Sequence, residues 1–129
     1  MRFDHLPERG ESLSRFIFST RHFSAAQSRV KPDALLPGKD SLETSVFRTA
    51  GLDHTATREI CDRVGETAAR TLKAWGNVRA GVVFDAGLDV RPDNVPERHA
   101  AIIGWPRQKD QQISQAQRRA EAATLHPPS

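Results

Sequence analysis

The sequence predicts a single α+β domain with a mostly antiparallel sheet of about four strands and two helices packed on one face. A chain of 129 residues can bury one core but is too short for two well-packed ones. Four segments show the alternation or the β-forming composition of strands, and two longer segments show the spacing of amphipathic helices. Their order along the chain is strand, strand, helix, strand, strand, helix, which favours this class.

The first predicted strand covers residues 15–20, where β-forming residues dominate and two phenylalanines share one face. Residues 1–14 mix charges, proline and glycine without apolar periodicity, so we expect a loosely ordered N-terminal extension. The domain is therefore expected to span residues 15–125, followed by a frayed tail at residues 126–129.

The second strand and the first helix have the clearest patterns in the chain. Residues 42–49 alternate between two faces in the manner of a strand. Asp53 suits the N-cap of a helix that spans residues 54–75, in which apolar residues recur every four positions. Gly76 follows this segment and supplies a stop signal.

The second half of the chain predicts a hairpin followed by a helix. Residues 78–90 form one long strand or two short ones bent near Gly87. Residues 99–105 form the last strand, and the short connection to it favours antiparallel pairing. A helix with a thin, alanine-rich apolar stripe begins at Asp110 and runs to residue 125.

Composition restricts the function classes only broadly. A formal charge of +3 and an isoelectric point near 9.6 make the chain mildly basic, which is compatible with a phosphate-bearing or nucleic-acid partner. No apolar run approaches the roughly 20 residues of a membrane span, and the N-terminus lacks the apolar segment of a signal peptide. Together with a single cysteine, Cys61, these features predict a cytoplasmic protein without a membrane partner.

The motifs of common nucleotide and metal sites are missing from the sequence. Neither GxxxxGK[ST] nor GxGxxG occurs, which argues against a P-loop nucleotidase and a Rossmann dehydrogenase. The five histidines and the cysteine never occur at short metal-ligand spacing. We therefore expect neither a metal nor another cofactor.

The candidate site consists of residues at the ends of predicted strands or in the adjacent loops: His22, Lys31, Arg48, His99 and Trp105. Strand ends cluster in space, so we expect these side chains to meet. Lys31 and Arg48 would hold a phosphate or carboxylate, and Trp105 would supply a stacking plane. The resulting hypothesis is a small basic binding or adaptor module for a phosphate-bearing ligand, with nucleic acid as one candidate.

Two alternatives stay open. In the first, His22 and His99 are the paired imidazoles of a metal-independent, ribonuclease-like phosphodiesterase, where one removes the 2′-hydroxyl proton and the other protonates the leaving oxygen. In the second, the protein is a structural module that binds another polypeptide and has no small-molecule site. His99 is then a strand-edge histidine, Arg48 a surface residue and Trp105 a core residue.

Overall fold

An antiparallel sheet of six strands forms the centre of the protein, whose computed structural model describes residues 5–127. In chain order the elements are β1 (Ser12–Ile17), β2 (Phe23–Ser24), β3 (Arg29–Val30), β4 (Thr44–Arg48), α1 (His54–Thr67), β5 (Ala74–Arg79), α2 (Ala80–Asp85), β6 (Asp89–Pro92), β7 (His99–Ile103), α3 (Lys109–Glu121) and β8 (Thr124–His126). Two short 3-10 helices, Thr20–His22 and Pro32–Ala34, flank the small β2–β3 ladder.

The strands of the main sheet follow the order β6-β7-β4-β1-β5-β8, and every neighbouring pair is antiparallel. The α+β class and the antiparallel sheet are confirmed, as is the antiparallel hairpin formed by β6 and β7. The expected number of about four strands is wrong, because the sheet has six. Residues 5–127 also contain three α-helices, whereas the sequence analysis predicts two.

The segment predicted as one or two strands over residues 78–90 contains a helix at its centre. The amides of Ala80 and Gly81 donate to the carbonyls of Glu11 and Arg9, at 2.9 and 2.8 Å. The N-terminal segment thus provides hydrogen-bond acceptors for the first two amides of α2, which have no partner within the helix. This tertiary contact overrides the β preference of the valines that follow. Only the two ends of the predicted segment are therefore in strands, namely in β5 before the helix and in β6 after it.

The first helix begins as predicted but ends earlier. Asp53 is its N-cap and accepts a hydrogen bond from the Ala56 amide at 2.8 Å. At the other end, the amide of Arg70 donates to the carbonyl of Gly65 at 2.7 Å, and Ala69 adopts a positive φ of 54°. The chain consequently turns back, and β5 pairs with the whole length of β1 instead of continuing the helix.

Two separate apolar clusters cover the sheet. Leu13 and Ile17 of β1 belong to the larger cluster, together with Ala116 and Ala120 of α3. Phe16 of the same strand belongs to the smaller cluster, to which α1 contributes. Because successive strand residues point to opposite faces, α1 and α3 lie on opposite sides of the sheet. These contacts differ from the expected packing of both helices on one face.

Both ends of the described chain contact the domain. Residues 12–14, which the sequence analysis assigns to the N-terminal extension, form the first half of β1, and Pro7 is buried. His126, assigned there to the tail, pairs with β5 as part of β8. Residues 1–4 and 128–129, which belong to these two predicted segments, lie outside the described residues. Within residues 5–127, no helix combines the length and the apolar character that crossing a membrane requires.

Candidate functional site

A groove of about 680 Å³ opens beside β7, on the face of the sheet that α1 partly covers. Its floor comes from β4 and the start of β7, and one wall comes from α1. The other wall is the connection between β6 and β7, residues 93–98, which we call the flap. The groove, named here the His99 groove, is lined by Ser45, Phe47, Ile60, Arg63, Val64, Thr67, Ala68, Val95, Pro96, Glu97, Arg98 and His99.

His99 is fixed in this groove through a carboxylate of the flap. Its Nδ1–H donates to Oδ1 of Asp93 at 2.7 Å, and the same oxygen accepts the amide of Val95 at 3.1 Å. Burial opposes ionisation of Asp93, but the hydrogen bonds from His99 and Val95 prevail and lower the pKa of this carboxyl. The imidazole also packs edge-on against the ring of Phe47, with 5.3 Å between the ring centroids. The orientation of the imidazole is therefore fixed by Asp93 on one side and by Phe47 on the other.

The apolar part of the groove extends from the sheet to the flap. Phe47 contributes the floor, while Ile60 and Val64 project from the partly buried stripe of α1. On the opposite wall, Val95 is 76% exposed, the highest value among the exposed large hydrophobic residues of the described chain. The groove thus offers an uncovered apolar channel between two elements of the fold.

Cationic groups border this channel on both sides. Arg63 lies on α1 and is exposed, and within residues 5–127 it has no ion-pair partner. Arg98 lies on the flap, and its Nη1 donates to the carbonyl of Arg48 at 3.0 Å. Glu97 is the acidic residue among those that line the groove. Asp93, which holds His99, is a second carboxylate at the groove, so anions are attracted locally at the two guanidinium groups and not by an excess of positive charge.

His99 is the only one of the five sequence-predicted site residues among those that line the groove. Arg48 is buried, with a side-chain exposure of 1%, and forms two hydrogen bonds to Glu11 at 3.0 and 3.1 Å. Its Nη1 donates to the carbonyl of His5 at 2.8 Å. Arg48 therefore connects β4 to the N-terminal segment and is not a surface residue.

Trp105 is a buried residue of the larger apolar cluster. Its exposed fraction is 6%, and its indole N–H donates to the carbonyl of Ile102 at 3.2 Å. This placement matches the alternative in which Trp105 is a core residue. A buried indole of this kind offers no open face on which a ligand could stack.

His22 and Lys31 are neighbours at the opposite end of the sheet from His99. The Lys31 amide donates to the His22 carbonyl at 2.9 Å. Ser14 of β1 pairs with Phe47, which pairs with His99, and β1 then runs away from this position towards His22. Burial, followed by the charge of Arg15, lowers the pKa of His22, and Asp33 acts weakly against this shift. The five predicted residues therefore do not form one cluster.

The residues that complete the groove do not stand out in the sequence. Asp93 resembles a turn carboxylate in the sequence, because its contact with His99 depends on the register of the β6–β7 hairpin. Arg63 and Val64 lie within the predicted helix, but only the position of α1 against β4 brings them to the groove. The sequence signal available for Asp93 is its location in the loop directly before a strand that begins with histidine.

A second polar cluster lies near the start of α1. Ser14 Oγ contacts Thr49 Oγ1 at 2.6 Å and donates to Asn77 Oδ1 at 2.5 Å. The amide of Asn77 continues this chain to Nε2 of His126 at 3.1 Å. The His126 ring stacks on Trp75 at 5.7 Å between the ring centroids. These groups satisfy one another, so we assign them a structural role.

A second cavity of about 410 Å³ lies between α3 and the turn before β6. It is lined by Ala86, Gly87, Leu88, Gly104, Pro106, Gln111, Ser114, Gln115 and Arg118. Arg118 is its only charged lining residue, so it lacks the pair of opposed arginines that borders the His99 groove.

No cluster of three or more histidine, cysteine, aspartate or glutamate side chains suited to a metal ion occurs in residues 5–127. Comparisons with protein-family models, with curated proteins and with solved structures found no match to this chain.

Proposed function

We propose that the protein binds an amphipathic anion in the His99 groove, with the phosphate or carboxylate head at the arginines and the apolar body along the channel. The observation that carries this proposal is the position of Arg63 and Arg98 on opposite walls of an uncovered apolar channel. This proposal refines the hypothesis of a module for a phosphate-bearing ligand. It places the anion beside His99 and gives no ligand-binding role to Lys31, Arg48 or Trp105.

The dimensions of the groove support a small molecule more strongly than a nucleic acid. A volume of about 680 Å³ lies within the roughly 300–1,000 Å³ range of small-molecule pockets. Nucleic acids are held by several cations spaced along their backbone, whereas this groove has two arginines. A ribonuclease-like mechanism with paired histidines needs a second imidazole at the same phosphate, and His22 is not among the groove residues.

The lone cysteine is compatible with the proposed cytoplasmic location. Burial, assisted by the charge of Asp62 and opposed by that of Arg58, raises the pKa of Cys61 to about 12. Such a thiol takes no part in disulfide exchange. The protein–protein module remains the alternative from a different class, and its partner would compete with a ligand for the exposed flap.

Isothermal titration calorimetry with octyl phosphate, octanoate and inorganic phosphate tests the proposal. We expect both amphiphiles to bind and inorganic phosphate to bind far more weakly. Each methylene removed from the alkyl chain should cost about 0.8 kcal/mol, or roughly fourfold in affinity. Comparison of octyl phosphate with octanoate identifies the preferred head group.

Two variants at exposed positions locate the site. Arg63→Gln should weaken octyl phosphate binding by up to about fivefold. This factor corresponds to the roughly 1 kcal/mol that an exposed charge pair contributes at most. Val95→Ser should reduce the dependence on alkyl chain length, and Arg118→Gln in the second cavity serves as the control. Absence of binding by both amphiphiles, or binding that neither groove variant alters, would overturn the proposal. Cleavage of an RNA oligonucleotide that needs both His22 and His99 would favour the nuclease alternative instead.

A further inference from the structure

We infer that the same groove hydrolyses carboxylic esters of apolar acids, with His99 as the catalytic base and Asp93 as its positioning residue. This inference rests on the proposed function, because the carboxylate that such a hydrolysis releases is itself an amphipathic anion. The inference is based on the hydrogen bond between His99 and Asp93 at one side of the apolar channel, which the two arginines border.

The pairing determines which imidazole nitrogen can react. With Nδ1–H donated to Asp93, the neutral ring carries its lone pair on Nε2, and His99 lines the groove. A base held by a third group in this way is the arrangement that activates water or a hydroxyl in hydrolytic enzymes. The edge-on contact with Phe47 restricts rotation of the ring, so the orientation is maintained without a ligand.

Four hydrogen bonds besides the one between His99 and Asp93 hold the flap in place. The amides of Asp93 and Asn94 both donate to the His99 carbonyl, at 3.3 and 3.0 Å. The His99 amide donates to the Pro96 carbonyl at 2.9 Å, and the Arg98 amide donates to Asn94 Oδ1 at 2.8 Å. Because these four hydrogen bonds, three of them between backbone groups, already define the flap, the side-chain pair is available for orienting the imidazole.

The surroundings suit a substrate that is apolar and a transition state that is anionic at oxygen. Phe47 and Val64 offer an apolar surface for the acyl chain. The charged groups that face His99 are Asp93, Glu97 and Arg98 from the flap and Arg63 from α1. The two guanidinium groups would stabilise the developing oxyanion and then the carboxylate product.

The reaction consumes one water and one ester. His99 Nε2 removes a proton from the water as its oxygen attacks the carbonyl carbon, which forms a new C–O bond and an oxyanion. The tetrahedral species then collapses, the bond from carbon to the alkoxy oxygen breaks, and the proton on Nε2 passes to the leaving alkoxide. The products are an alcohol and a carboxylic acid, which ionises, and His99 returns to its neutral form.

A pH-stat assay with ethyl acetate and ethyl hexanoate measures this activity on unactivated esters. We expect higher kcat/KM for the hexanoate, because its acyl chain fills the channel, whereas surface histidines would show no preference for chain length. His99→Gln should lower kcat by about 10²- to 10⁴-fold while octanoate still binds. His22→Gln is the matched control and should leave turnover unchanged.

Asp93→Asn separates a positioning role from a structural one. If Asp93 orients the imidazole, kcat falls while KM and the melting temperature change little, and Asp93→Glu recovers part of the rate. If the residue only maintains the flap, KM rises together with a loss of stability, and this result would count against the positioning role.

The two proposals fail in distinguishable ways. If octyl phosphate and octanoate bind to the wild-type protein but the protein has no esterase activity, the inference is wrong and the proposed function stands. Turnover that His99→Gln does not reduce would also overturn the inference. If neither amphiphile binds and neither ester is hydrolysed, both proposals are wrong.

Discussion

Glu11 accepts two hydrogen bonds from the guanidinium of Arg48, at 3.0 and 3.1 Å, and this pair joins the N-terminal segment to the middle of the sheet. The Arg48 side chain is 1% exposed and that of Glu11 is 14% exposed. Removal of one partner leaves a buried charge poorly compensated, which typically costs several kcal/mol. The ion pair is therefore a stability determinant that the sequence analysis did not identify.

Glu11→Gln is expected to lower the free energy of unfolding by about 3 kcal/mol, as measured by urea denaturation. The matched control is Arg9→Gln, which breaks the pair between Arg9 and Asp85. Because both side chains of that pair are exposed, its loss should cost less than about 1 kcal/mol. Equal effects of the two substitutions would contradict the buried role of Glu11.

Gly65→Ala is expected to destabilise the protein although alanine is the better helix former. A Cβ at this position would lie 2.7 Å from the Arg70 carbonyl oxygen, at the turn where the chain leaves α1. Overpacking costs about 1–3 kcal/mol and exceeds the gain in helix propensity of about 1 kcal/mol. Thermal unfolding should show a lower melting temperature than that of Gly10→Ala, where the nearest atom to the added carbon is 4.0 Å away. A higher melting temperature for Gly65→Ala would show that the turn relaxes at little cost.

Stability should decline as the pH falls below about 6.5, with His126 as one contributor. Burial, and then repulsion from His54, lowers the pKa of His126 below its ordinary value of 6.5. The neutral ring also accepts the Asn77 amide through Nε2. The unfolded chain therefore binds the proton more readily than the folded protein. The contribution of neutral His126 to the free energy of unfolding is complete above pH 6.5. It is lost as the pH falls from 6.5 through the lower pKa of the folded state.

Urea denaturation of wild type and His126→Gln between pH 5 and 8 tests this behaviour. The variant should show a weaker decline in unfolding free energy on acidification, because it lacks the titrating group. Asp93 does not interfere in this window, since its pKa lies below its ordinary value of 3.8 and its contribution is lost only in stronger acid. Parallel pH profiles for the two proteins would exclude His126 as a contributor.

Cys61 should resist alkylation in the folded protein. Its side chain is fully buried, and burial is the main cause of a pKa of about 12. The reactive thiolate is therefore scarce at pH 8, and reagent access is blocked. Mass spectrometry after iodoacetamide treatment should show no labelling in buffer and complete labelling in urea. Rapid labelling of the native protein would indicate local opening of α1.

The sequence predicts those parts of the fold that depend on local signals. The Asp53 cap, the start of α1 and the β6–β7 hairpin are all visible as short-range patterns. The helix α2 and the strand β8 are not, because the first depends on contacts with Arg9 and Glu11 and the second on pairing with β5. In both cases long-range contacts outweigh the residues' own preferences.

The candidate site is predictable only in part for the same reason. His99 stands out in the sequence as a polar residue at the start of an apolar strand. Its partner Asp93 and the opposing Arg63 come from a flap and a helix whose positions are fixed by tertiary packing. The register of β1 and β4 in turn carries His22 away from His99. The expectation that residues at strand ends lie close together does not say which end of the sheet each residue occupies, because strand register decides that.

The lengths of the two outermost strands have a consequence for behaviour at high concentration. β8 has three residues, and β6 has four, of which the last is Pro92. A short edge offers few unpaired backbone groups to another sheet, and proline has no N–H to donate. Asp89 and Arg91 also place exposed charges along β6. The protein is thus protected against edge-to-edge aggregation, and a longer, uncharged β6 would remove that protection.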